Sequence, residues 1–156
     1  MIPNLVTELV AAYGALVATV VLVVQIKSLR PHIIVTVERV WFSDSDGRFT
    51  DEQISVKAAN IGQQIVYFEG LPALFHGKTG MCMQSQHSDD DTFPLDLKPG
   101  ASCKVHMNPV LVAESLRKSG AHGVVDLRAR YIDETKRVYW GHRFRFDIDN
   151  PLQTTN

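Results

Sequence analysis

Cys82, His87, Cys103 and His106 are spaced C-x4-H and C-x2-H, which mimics zinc-ligand spacing, and Met81, Met83 and Met107 would add soft ligands for copper. Coordination needs those side chains on one side of the backbone. A strand over Cys103 to Met107 points Cys103 and His106 to opposite faces, and Cys82 opposes its neighbouring methionines in the same way. No metal site and no cofactor is therefore expected. The run Asp44 to Glu52 imitates a calcium loop, but with Gly47 at the sixth position the first and twelfth positions are Phe42 and Gln53. Both essential carboxylates are missing, and the run reads as a polar loop between strands. There is no G-x-S-x-G elbow, H-E-x-x-H, phosphate-binding glycine loop or C-x-x-C pair. The histidines at 32, 76, 87, 106, 122 and 142 are scattered, and His142, alternating with Trp140 and Phe144, reads as a core residue. Asp89, Asp90 and Asp91 follow His87 in a polar stretch that reads as a solvated tip. No catalytic residue is assigned, and the chain is read as non-enzymatic.

The cluster that stands out is basic. If Asp133 to Lys136 forms a turn, Ile132 faces Arg137, Ala129 faces Trp140 and Val125 faces Phe144. Val125, Leu127, Ala129 and Tyr131 then share an inner face with Val138, Trp140, His142, Phe144 and Phe146. The outer face carries Arg128, Arg130, Arg137, Arg143 and Arg145 beside Tyr139, with Asp126 opposite Arg143 and Asp147 offsetting part of the charge. Such a face suits anionic head groups or an acidic protein surface. Nucleic acid is not expected, because 16 Lys and Arg against 17 Asp and Glu leave the chain at -1.

Two elements of different character must position that face. Leu9 to Ile26 contains no charge, and with Leu5 and Val6 it reaches the ~20 residues needed to cross ~30 Å of hydrocarbon. A transmembrane helix is predicted over residues 1–27. A cleavable signal peptide is not, since no Lys or Arg precedes the run and no Ala-x-Ala-like site follows it. Lys27, Arg30 and Arg39 flank the far end, so the positive-inside bias puts the N-terminus outside and the C-terminal domain in the cytoplasm. A reducing cytoplasm would keep Cys82 and Cys103 as thiols. Ala11, Gly14, Ala15 and Ala18 fall at i, i+3, i+4 and i+7, a small-residue face suited to helix packing within a homo-oligomer or against a membrane partner.

After a juxtamembrane linker at residues 28–32 the hydrophobic period becomes two. Strands are predicted at Ile33 to Trp41, Ile54 to Asn60, Ile65 to Phe68, Ala73 to His76, Met81 to Gln84, Cys103 to Met107, Val124 to Tyr131 and Val138 to Phe146. One short helix follows Asn108: Pro109 opens it, Leu111, Val112 and Leu116 form its stripe, and Gly120 ends it. Short strands, Leu97-Lys98-Pro99-Gly100 leading into a late strand, and a final hairpin of alternating aromatics resemble immunoglobulin-like β-sandwich domains over residues 33–149, with a tail at 150–156. The likeness is one of fold, because the paired inter-sheet cysteines and the tryptophan packed on them are missing. The expected fold class is mostly β, an antiparallel sandwich behind a transmembrane helix. The expected role is a single-pass accessory subunit whose sandwich mediates protein–protein interaction or regulation in a membrane complex. The alternative is a membrane-anchored periplasmic or extracellular domain that binds a ligand or metal.

Overall fold

The computed structural model describes residues 2–28, 30–43, 49–82 and 90–152. Asp44 to Arg48 of the acidic loop, Met83, His87 and Asp89 lie outside the described residues, as does the predicted strand end at Met83 and Gln84.

Helix α1 spans Ile2–Ser28. Its segment Val6–Ile26, 21 residues of mean hydropathy 2.4, is wholly exposed, so no other described part of the chain covers its apolar side chains. By length and apolarity it fits a membrane anchor or a signal sequence. Arg30, Pro31 and His32 lead directly into the first strand. The His32 carbonyl accepts from the N–H groups of Ile61 (2.9 Å) and Gly62 (3.2 Å), so the connection is clasped to a loop of the domain.

Among the described residues nine strands follow: β1 (Ile33–Ser43), β2 (Phe49–Asn60), β3 (Val66–Phe68), β4 (Ala73–His76), β5 (Thr79–Cys82), β6 (Leu95–Leu97), β7 (Ser102–Met107), β8 (Val124–Ile132) and β9 (Val138–Asp147). They form antiparallel sheets ordered β1-β2-β7, β3-β6 and β5-β4-β8-β9. Alternation places one face of each larger sheet in a shared core. Ile54, Val56, Ala58, Cys103 and Met107 come from the first sheet, and Leu74, Val125, Leu127, Ala129, Tyr131 and Phe146 from the other. The Tyr131 hydroxyl donates across this core to the Val56 carbonyl. Buried Asn60 joins the sheets at the anchor end, donating to the carbonyls of Gln64 (2.7 Å) and Leu97 (2.8 Å) and accepting from Gly62 N–H. At the other end Arg39 pairs with Glu52, donates to the Pro151 carbonyl and lies over the Phe146 ring.

Helix α2 (Pro109–Lys118) connects β7 to β8. Asn108 caps it by accepting from Val110 N–H at 2.9 Å, and Gly120 leaves it at φ 85°. The buried stripe is Pro109, Val112, Ala113 and Leu116, whereas Leu111 is 44% exposed. The stripe therefore sits one residue round from the expected one.

Sequence periodicity missed β6, whose three residues pair only with β3 and are too short to show alternation. It also missed how the free edge of β7 is closed. The Asp91 carboxylate accepts from Lys104 N–H (2.7 Å), Asp90 accepts from His106 N–H (2.8 Å), and the Asp91 N–H donates to the Lys104 carbonyl. Asp90, its carboxylate buried, and half-buried Asp91 are thus strand-edge caps rather than a solvated tip.

The β8–β9 hairpin differs most from expectation. Its loop has three residues, Glu134 to Lys136, because the Asp133 N–H still donates to the Arg137 carbonyl and Lys136 takes the left-handed conformation at φ 64°. That shift pairs Ile132 with Val138, Tyr131 with Tyr139 and Arg130 with Trp140. A bulge then sets Gly141 and His142 against Ala129 alone, after which Arg128 faces Arg143, Leu127 faces Phe144 and Val125 faces Phe146. Near the turn the slip is one residue, which exchanges the faces of β9; beyond the bulge it is two, which restores them.

Candidate interaction surface

The exchange of faces rebuilds the basic surface. Tyr139, expected outside, turns inward, packs edge-on against Phe68 and donates to Asp133 at 2.8 Å. Burial, then that carboxylate, pushes its hydroxyl up to about 12. Trp140, expected inside, comes out 44% exposed beside Arg130. His142 is exposed in the bulge and is not a core histidine.

On the four-stranded sheet the Arg130 guanidinium lies 4.2 Å from the Phe75 centroid and 5.8 Å from that of Trp140, with Arg128 5.2 Å from Trp140. Phe75 and Trp140 meet edge to face at 5.2 Å. The four side chains form one cation–aromatic stack, which holds long arginines in fixed positions. Arg128 Nε also donates to the Gly141 carbonyl at 3.1 Å, tying the stack to the bulge, while Arg130 Nε is buried without an acceptor. A hollow of 430 Å³ lies on one side, lined by Phe75, His76, Gly77, Asp126, Arg128, Trp140 and Arg143. Another of 340 Å³, lined by Glu69, Gly70, Leu71, Ala73, Arg130, Ile132 and Lys136, lies on the other.

Arg143 and Arg145 extend the exposed face; Arg145 faces Asp126, which forms a 3.6 Å ion pair diagonally with Arg143. Arg137 lies beyond the last strand pair, at the base of the turn, with its N–H on Asp133. Thus Arg128, Arg130, Arg143 and Arg145 share the sheet face, Arg137 stands apart, and Trp140 and Phe75 replace Tyr139. Chemically the face offers fixed guanidinium groups between aromatic planes, suited to carboxylates presented by a flat or shallow partner.

A second polar group occupies the outer face of the three-stranded sheet. His106 Nδ1 lies 2.7 Å from Asp90 and its ring meets Phe42 edge to face at 5.0 Å. Both side chains of the pair are nearly fully buried. His106 borders a cleft of 530 Å³ that also includes Glu38, Ser55, Lys57, Asp91 and Lys104. Cys103 points the other way, into the core, and burial pushes its thiol up to about 11, far from a metal-ready thiolate. Among the described residues no group of three or more His, Cys, Asp or Glu is placed to hold a metal ion. On α1, Ala11, Gly14, Ala15 and Ala18 are all exposed, and nothing packs within 4 Å of where a Gly14 side chain would stand.

No protein-family model matches the chain, and no curated protein matches it. Among solved structures it is similar to the X-ray structure of Northeast Structural Genomics Consortium target SoR45, at 12% identity and a TM-score of 0.31, over 81% of this chain and 92% of that one.

Proposed function

We propose that this is a non-enzymatic single-span membrane protein, with α1 as its anchor, the N-terminus outside and the β-rich domain in the cytoplasm. The domain recruits or regulates an acidic protein partner through the exposed face of β4, β8 and β9. The observation that carries this reading is the Phe75–Arg130–Trp140–Arg128 stack. Desolvated aromatic and arginine side chains dominate protein interfaces, whereas lysine is depleted there, and this stack contains no lysine.

An immunoglobulin-like plan for the domain is part of the proposal. Supporting it, β1-β2-β7 and β4-β8-β9 follow the A-B-E and C-F-G order of that plan, with β5 extending the second sheet. The positive-inside asymmetry of Lys27, Arg30 and Arg39 supports the orientation.

The test is photo-crosslinking from the stack in host membranes, comparing full-length wild type with Arg130→Glu and Trp140→Ala. The reading expects a discrete adduct that both variants lose while keeping the wild-type melting temperature. An adduct that survives both substitutions would remove the stack from the interface. Orientation is read separately by impermeant labelling of Leu111→Cys, an exposed position, since buried Cys103 is unsuited to the purpose.

A further inference from the structure

Ile61 and Ile65 are 58% and 59% exposed, and both lie on the loop between β2 and β3, at the end of the domain where the chain leaves α1. Single exposed apolar residues are ordinary on a protein surface. These two differ in being held beside the anchor. Ile61 N–H and Gly62 N–H both grip the His32 carbonyl, and Asn60, buried beneath, fixes the loop through Gln64 and Leu97. A side chain at Gly62 would stand 2.6 Å from His32 N and 3.2 Å from the Arg30 carbonyl, so only glycine lets linker and loop approach this closely.

Six residues lead from Ile26 to His32, the first two helical, and a chain spans no more than ~3.5 Å per residue over the rest, so the clasp lies at most ~17 Å from the end of the apolar run. The headgroup layer fills roughly the first 5–7 Å of that distance. Charge at the rim of this end is balanced: Arg30, Lys98, Lys136 and Arg137 stand near Glu69, Asp96, Asp133 and Glu134, with Lys136 paired to Glu69. Asp96, Asp133, Glu134 and Arg137 line a hollow of 390 Å³ between Pro31, the 64–67 segment and the β8–β9 turn.

We infer that the Asn60–Ile65 loop is a membrane seat, which places Ile61 and Ile65 in the headgroup layer of the bilayer that α1 crosses and so fixes how the domain stands on it. The inference rests on the reading of α1 as an anchor. The bilayer is the occupant because the clasp brings these apolar tips to it whatever protein is present. The arginine–aromatic face has no such link to the anchor and is left free for a partner.

The experiment uses the full chain in vesicles of phosphatidylcholine and phosphatidylglycerol, in a Cys82→Ser background with buried Cys103 retained. An environment-sensitive fluorophore is placed at Ile61→Cys, Ile65→Cys or, as an exposed apolar control at the opposite end, Leu111→Cys. Quenching by lipids carrying a shallow spin label should be roughly twofold or more greater at 61 and 65 than at 111. Adding Gly62→Val should bring the first two down to the level of the control. Equal quenching at all three positions, in protein that floats with the vesicles and resists alkaline extraction, overturns the seat and leaves the anchor standing. Protein that fails to float overturns both. Quenching unchanged by Gly62→Val overturns the role given to the clasp.

Discussion

Replacing Asp133 by alanine tests the element that sets the β9 register. Its carboxylate accepts from Thr135 Oγ1 (2.7 Å), Arg137 N–H (2.9 Å) and Tyr139 Oη (2.8 Å), and the residue is 5% exposed. Hydrogen bonds to a charged group contribute ~1.5–3 kcal/mol each, but Thr135 and Arg137 border solvent and recover water when the carboxylate is lost. The half-buried Tyr139 hydroxyl does so poorly. The expected cost is therefore about 3 kcal/mol, near 10 °C in melting temperature for a domain of this size.

The acid dependence has a defined sign. Burial alone would raise the Asp133 pKa, but the hydrogen bonds from Thr135, Arg137 and Tyr139 outweigh it and hold the carboxyl below 3.8. A depressed folded-state pKa stabilises fully above the unfolded value, and the contribution is lost as pH falls through the folded one. Asp133→Asn, which keeps an acceptor without the charge, should melt below wild type at neutral pH, with the gap closing below about pH 4. The assay is thermal melting of the full chain in mild detergent, followed by near-ultraviolet circular dichroism and tryptophan emission. A loss under about 1 kcal/mol for Asp133→Ala, or a gap that widens on acidification, would refute the reasoning.

Cys103 should resist maleimide at neutral pH in the folded protein and react once it is denatured, because the thiol is buried and its pKa is near 11; rapid reaction in the native state would contradict its place in the core. Gly141→Val should cost roughly 2 kcal/mol or more, since an added Cβ stands 3.2 Å from both the Val35 side chain and carbonyl, and chemical denaturation measures it. Glu52→Gln should cost about 3 kcal/mol by the same measurement, because the 9%-exposed Arg39 side chain would lose its countercharge. Asn60→Ala should cost about 2 kcal/mol and speed amide exchange at Ile61 and Gly62, as the loop loses its buried support.

The mostly-β class, the α2 caps and the positions of eight strands were legible because alternation and capping are local signals. The register of β8 against β9 was not. It turns on Lys136 adopting a left-handed conformation that lysine seldom takes, and on one extra residue in β9. A signal for the second was present: Gly141 lies within an alternating run, where an isolated glycine marks a bulge or a close backbone approach, and here it is both. Following that cue while keeping Phe144 and Phe146 inside would have moved Trp140 outward. Phe75 was placed in its strand correctly, but its place in the stack depends on β4 lying beside β8, a long-range pairing that local pattern does not encode.

The two carboxylates on β7 bear on how copies of this protein share a surface. An uncovered edge strand is a template onto which another chain adds its own strand, and with α1 as the proposed anchor, confinement to one bilayer would keep neighbouring copies at high local concentration. Asp90 and Asp91 occupy successive outward N–H groups of that edge with acceptors that cannot propagate the ladder, because a side chain offers no further backbone row. A crowded membrane could then hold many copies whose encounters end in separation rather than in fibrils. His106, gripping Asp90 through its ring as well as its backbone, keeps that barrier closed.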